Sequence, residues 1–281
     1  MCEFCVKHGE GKKWYLQAKH YAEDMLSDAR RRSFMLDFFS KPEHLSGDLA
    51  RMESLAKAPA PIRRAISALA TRQRKRTHFG QVVPLEDVKE IFGFVNSIVR
   101  LPCICRHVTL GREVPYCYGV SMGPGGGEAV GLLRELGDSF FAGPDTSAFE
   151  ELDTEQALAA MADHEKKGLC HSLWTFMTPY IGGICNCDRA DCVAMKSTVT
   201  YNVKMMFRAE YVAAVDPDLC KGCRTCMRLC QFGAMAYSVA DQKVRVDRVY
   251  CYGCGVCRSL CPNDAIKLKP RAADPVAASL W

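Results

Sequence analysis

Cysteines 220, 223, 226 and 230 follow the pattern Cys-x-x-Cys-x-x-Cys-x-x-x-Cys, and Cys251, Cys254, Cys257 and Cys261-Pro262 repeat it. Thiolates are ligands for soft metals. Three of them at two-residue gaps wrap a loop around one cube of iron and sulfide, and the fourth, leaving on a short helix, reaches a second cube. Crossed ligation is therefore expected. One [4Fe–4S] cluster falls to Cys220, Cys223, Cys226 and Cys261, the other to Cys251, Cys254, Cys257 and Cys230. Gly222, Gly253 and Gly255 let backbone N–H groups approach the sulfurs and stabilise the reduced, more negative state. Zinc held by two four-Cys sets is the alternative, and eight cysteines in this doubled register argue against it.

The doubled run resembles the bacterial-type two-cluster ferredoxin, over about residues 208–270. Val215-Asp216 precedes the first run and Val246-Asp247 the second, while Gly233-Ala234-Met235 and Asp264-Ala265-Ile266 follow them, so a pair of βαβ-like units related by pseudosymmetry is predicted. The sequence departs from the family at Gln231, where a proline usually follows the fourth cysteine. Pro262 keeps that place in the second run.

Of the 17 cysteines, nine remain. Cys103 and Cys105, Cys117, Cys185 and Cys187, and Cys192 are candidates for a third [4Fe–4S] cluster, with zinc or buried unligated thiols as alternatives. Residues two apart point the same way in an extended segment, so each Cys-x-Cys pair would face one metal from a strand or loop. Cys2 and Cys5, with His8, would form half of a further metal site or a chance pair at a loose terminus. Cys170 is the candidate spare thiol; His171 beside it is a ligand, a proton donor or a structural histidine. Arg106 either tunes Cys105 or is an ordinary surface charge. Pro102-Cys-x-Cys-Arg, Cys117-Tyr-Gly, Gly168-Leu-Cys-His171 and Ile184-Cys-Asn-Cys ahead of the ferredoxin-like run are similar to a group of anaerobe iron–sulfur proteins described only as ferredoxin-like. That resemblance implies redox work and names no substrate.

The elements that must hold these residues suggest an α+β chain. Residues 1–100 read as a helical domain carrying the N-terminal Cys pair, with Trp14, Leu16, Tyr21, Met25 and Leu26 at near-helical spacing and a helix predicted from Leu85 to about Val99. Residues 101–207 form a Cys-rich mixed domain, 208–270 the βαβ-repeat dicluster ferredoxin fold, and 271–281 a tail. In the middle domain, Asp153 and Gln156 form a predicted capping box and Gly168 ends that helix. Gly123-Pro-Gly-Gly-Gly127 lacks the endings of a phosphate loop and is read as a turn.

Composition bounds the setting. The chain has 281 residues, 48% hydrophobic and 25% charged, an ordinary globular balance. Its formal +5 counts cysteines as neutral, and two clusters carrying roughly two negative charges each bring it near zero, so the basic balance is no argument for nucleic acid. Arg30-Arg31-Arg32 and Arg72–Arg76 are expected to be solvated faces or docking patches for an acidic redox partner. Neither a leader pattern nor an apolar stretch of membrane-spanning length stands out, and a cytoplasmic protein with reduced thiols is expected.

An electron-transfer subunit is the leading functional expectation: a non-catalytic member of a complex, passing low-potential electrons between a soluble carrier and a partner oxidoreductase. A reductase or reductive activase with its catalytic metal site in 101–207, using Cys170-His171 or Arg106-His107 for protons, is the alternative. A metal-stabilised structural or regulatory protein is the third.

Overall fold

The computed structural model describes residues 13–140 and 149–280. Cys2, Cys5 and His8 lie outside them. The protein is a mixed α+β chain. Three helices open it, α1 (Ala29–Ser40), α2 (His44–Ala56) and α3 (Ala60–Thr77), followed by β1 (Gly80–Val82), α4 (Leu85–Phe92) and β2 (Ser97–Leu101). Next come α5 (Ile104–Leu110), β3 (Cys117–Ser121), α6 (Gly127–Phe140), β4 (Glu150–Leu152) and α7 (Thr154–Lys166). Then β5 (Cys170–Thr175), β6 (Ile181–Cys187), α8 (Val193–Val199) and β7 (Met206–Phe207) complete a seven-stranded sheet in the order β4-β2-β3-β6-β5-β1-β7.

The helix predicted over Leu85–Val99 stops at Phe92, and Ser97–Leu101 is instead a strand between β4 and β3. Ile98, Val99 and Leu101 are buried on both of its faces, an apolar run led by β-branched Ile98 and Val99 that a sheet centre accommodates better than a helix does. The sheet thus draws β1 and β2 from the segment read as helical, and the boundary expected at residue 100 falls inside β2.

Alternation along the strands divides two cores. Ile98, Tyr118, Val120, Leu173 and Ile184 pack with Trp14, Tyr21, Phe79 and Ile91 on one face. Val99, Leu101, Cys117, Cys170, Trp174 and Cys187 join Met35, Phe39, Val193 and Met195 on the other. The cysteines therefore share one buried face because of strand parity. α7 carries the expected capping box, with Asp153 accepting from the Gln156 backbone N–H and Gln156 accepting from that of Asp153. In the glycine loop, the Glu23 carboxylate accepts from the Glu128 N–H at 3.2 Å and from Ser121 Oγ at 2.8 Å, so an internal anion already occupies the start of α6.

Arg31 is not on a solvated face. It is 7% exposed, and its guanidinium donates to the carbonyls of Phe176, Met177 and Met25. Arg32 pairs with Glu128, and Arg74 with Asp48.

The C-terminal module is two strand–helix–strand units, β8 (Tyr211–Val215), α9 (Thr225–Leu229), β9 (Met235–Ser238) and β10 (Lys243–Val246), α10 (Val256–Ser259), β11 (Ile266–Pro270). β8 pairs antiparallel with β11 and β9 with β10. The repeat extends to single hydrogen bonds: Asp216 N–H donates to Ala265 O and Asp247 N–H to Ala234 O, both at 2.7 Å. Residues 271–280 are no free tail, since Arg271 is buried against Glu210 and short 3-10 turns cover it.

Burial lowers the pKa of His78 and of His164 to about 3, and that of His171 to about 4. The unfolded chain binds these protons below about 6.5 and the folded chain does not, so stability is full above that pH and falls as pH drops toward 4. Denaturant titrations from pH 7 to 5 are expected to show this loss. His78→Gln is expected to flatten the slope by about one proton, roughly 1.4 kcal/mol per pH unit.

Candidate metal centres

In the C-terminal module, Cys220, Cys223, Cys226 and Cys261 line one cavity of about 20 Å³, and Cys230, Cys251, Cys254 and Cys257 line another of the same size. Each set combines three cysteines of one run with the fourth of the other. Backbone N–H groups point at the sulfurs: Ala213 to Cys251 at 3.4 Å, Ala234 to Cys230 at 3.3 Å and Ala265 to Cys261 at 3.4 Å. Such donors favour the reduced, more negative state of a cluster. The turns need glycine for a second reason. At Gly253 (φ +71°) a Cβ would lie 2.1 Å from Tyr211 O, and at Gly222 (φ +67°) 2.3 Å from Gln242 O. Cys223 is exposed, whereas Cys251 and Cys257 are buried. The first set is thus the one nearer solvent.

Gln231, the departure from the ferredoxin pattern, bridges the module to the sheet domain. Its amide donates to Gly168 O at 2.9 Å and accepts from the Arg189 N–H at 2.9 Å. A proline could do neither. Asp87, fully buried on α4, adds a second joint by accepting from Tyr15 OH at 2.5 Å, Lys13 Nζ at 2.8 Å and Tyr211 OH at 2.9 Å.

The middle domain brings Cys103, Cys105, Cys117, Cys185, Cys187 and Cys192 to one cavity of about 90 Å³. Their thiols form an unbroken chain of contacts. Cys117 Sγ lies 3.1 Å from Cys185 Sγ, Cys103 accepts from Cys105 and Cys117, and Cys192 accepts from Cys105 and Cys187. Those hydrogen bonds hold Cys103 and Cys192 well below the usual thiol range, with the Arg106 guanidinium adding to the effect at Cys103. Cys185 and Cys187 reach the cavity by the parity of β6, as two residues apart on a strand must. Cys103 and Cys105 arrive otherwise, from the residue before α5 and from its first turn.

Among the described residues no three Cys, His, Asp or Glu side chains meet closely enough to share one metal ion. A cube asks for a different arrangement, one thiolate on each of four separate irons.

Arg106 is 2% exposed and no surface charge. It reaches Cys103 Sγ at 3.6 Å, Asn186 O at 3.1 Å and the Asp188 carboxylate, with Tyr116 stacked 4.5 Å away. His171 Nδ1 donates to Asn186 Oδ1 (2.6 Å), and its other nitrogen lies 3.8 Å from Glu165 Oε1. It ties β5 to β6 between the cysteine strands. Cys170 is paired in register with Cys187, and its thiol hydrogen-bonds with that of Cys254 in the ferredoxin module. Cys170 thus stands between the ferredoxin module and the six middle cysteines. From sequence this contact was invisible, because it depends on how β5 meets a loop more than 80 residues later.

A family model described as a 4Fe-4S dicluster domain matches residues 219–266. This stretch is a ferredoxin-type module near the C-terminus, and a dicluster domain of this kind points to iron–sulfur electron transfer. No curated protein matches the chain.

Proposed function

We propose that the chain relays low-potential electrons between a soluble carrier and a partner oxidoreductase, through the two ferredoxin clusters and a third cluster held by the six-cysteine ring. The observation that carries this reading is the contact of Cys170 with Cys254. Cys170 is in register with Cys187 of the ring, so it links the ring to the second ferredoxin site. Exposed Cys223 puts the first site at the surface, where a carrier would exchange electrons, and burial grades inward from there. On the helical segment, α3 presents exposed Ile62, Ile66 and Leu69 at helical spacing beside Arg63 and Arg72, a face suited to an acidic partner. Clustered thiols held ready as metal ligands suit a reducing, cytoplasmic setting. Among the described residues no helix is long and apolar enough to cross a membrane.

Anaerobic purification with iron, sulfide and zinc analysis tests the reading. More than eight irons per chain without zinc is expected; eight irons plus stoichiometric zinc would make the middle region a structural zinc domain. The Arg106 charge leads to a second expectation. Arg106→Gln removes a buried cation from beside the ring and is expected to lower the potential of its cluster by about 60–130 mV, the equivalent of one charged hydrogen bond. Redox titration measures it. Arg106→Lys, which keeps the charge, should move the potential less.

One observation favours a second reading, a reductase with its reaction centre at the ring. The cysteine cavity continues into an apolar chamber lined by Met35, Phe38, Phe39, Leu133 and Phe176, room that a buried relay does not require. A small molecule that perturbs the ring cluster's spectrum would support it.

A further inference from the structure

Resting on the reading that the ring binds an iron–sulfur cluster, we infer that this cluster has eight irons, as two cubes joined through one bridging sulfide, rather than four. Ligand number is the first argument. A single cube offers four iron corners and takes four thiolates, which would leave two of the six without iron. Two separate cubes would need eight. Two cubes that each give one corner to a shared sulfide keep three corners apiece, which six thiolates satisfy.

The construction is also doubled. The thiol contacts run Cys185–Cys117–Cys103–Cys105–Cys192–Cys187, and the first three and last three members, taken as two halves, are built alike. Each half takes the residue preceding a short helix, Cys103 before α5 or Cys192 before α8. Each takes one member of the β6 pair. Cys117 from β3 completes the first half and Cys105 from α5 the second. Arg106 stands against both, in contact with Cys103 and within electrostatic reach of Cys187.

The test uses the full chain, purified and reconstituted without oxygen, as wild type and as six single variants, Cys103→Ser, Cys105→Ser, Cys117→Ser, Cys185→Ser, Cys187→Ser and Cys192→Ser. Iron and acid-labile sulfide are counted per chain, and the ferredoxin-type EPR signals after dithionite report that each variant is folded. The bridged cluster predicts about sixteen irons in the wild type and a loss of iron in all six variants. About twelve irons with two variants that lose none would mean a single cube and overturn the inference, leaving the three-cluster relay standing. About eight irons in the wild type and in every variant would overturn both.

Discussion

Cys261→Ser is expected to abolish the cluster of the first cysteine run although Cys261 belongs to the second. Cys220, Cys223, Cys226 and Cys261 surround one cavity, and serine oxygen is a poor substitute for thiolate on iron, so about four irons per chain should be lost. Cys220→Ser should remove the same EPR signal. Cys230→Ser and Cys251→Ser should share the loss of the other, because Cys230 faces Cys251, Cys254 and Cys257. If Cys261→Ser and Cys251→Ser instead removed one common signal, ligation would follow the runs and the crossed assignment would fail. The affected site should also lose stability, since the unfolded chain has no such site and the free energy of binding the cofactor therefore adds to that of folding.

Arg271→Ala is expected to cost about 3–5 kcal/mol, the usual penalty for stranding one partner of a buried ion pair. Arg271 meets Glu210 through two hydrogen bonds of 2.9 and 3.0 Å, with both side chains 5% exposed. It also donates to the carbonyls of Ala277 and Leu280. Its loss leaves a buried carboxylate at the start of β8, where that strand pairs with the end of β11. A large fall in the denaturation midpoint checks the prediction. Removing both charges, as in Glu210→Met with Arg271→Met, should recover much of the loss because no unpaired charge is left behind.

These two sites differ in how far they could be read from residues alone. The ferredoxin module was legible because its ligands repeat at fixed spacing and the constraint is local: three sulfurs on one loop, glycines where the backbone closes in, an aspartate before each run. The Glu210–Arg271 pair was not, as nothing in Pro270-Arg271-Ala272 distinguishes a clamp from a tail. At β2, local apolar periodicity suited a helix, whereas burial on both faces between β3 and β4 decided for a strand. The six middle cysteines could be listed as candidates, but their convergence depends on which strands neighbour which. The order β3-β6-β5 sets Cys117 opposite Cys185 and Cys170 opposite Cys187. Gln231 was a partial signal. Its departure from the expected proline was visible, and only the contacts with Gly168 and Arg189 show that the position serves docking.

Those contacts also bear on the proposed relay. Electron transfer between buried centres needs a fixed, short separation. Gln231, Asp87 and the Ser259–Glu165 hydrogen bond at 2.5 Å hold the ferredoxin module against the sheet domain from three directions. Cys170 lies within that joint.

The central claim, that the six-cysteine ring carries electrons in series with the ferredoxin clusters, is tested most directly by an EPR-monitored redox titration of the anaerobic full chain. The account predicts a reversible low-potential signal beyond those of the two ferredoxin clusters, showing magnetic interaction with the Cys230–Cys251–Cys254–Cys257 cluster across Cys170. Two ferredoxin signals alone, unperturbed and unchanged when the ring cysteines are replaced, would contradict it.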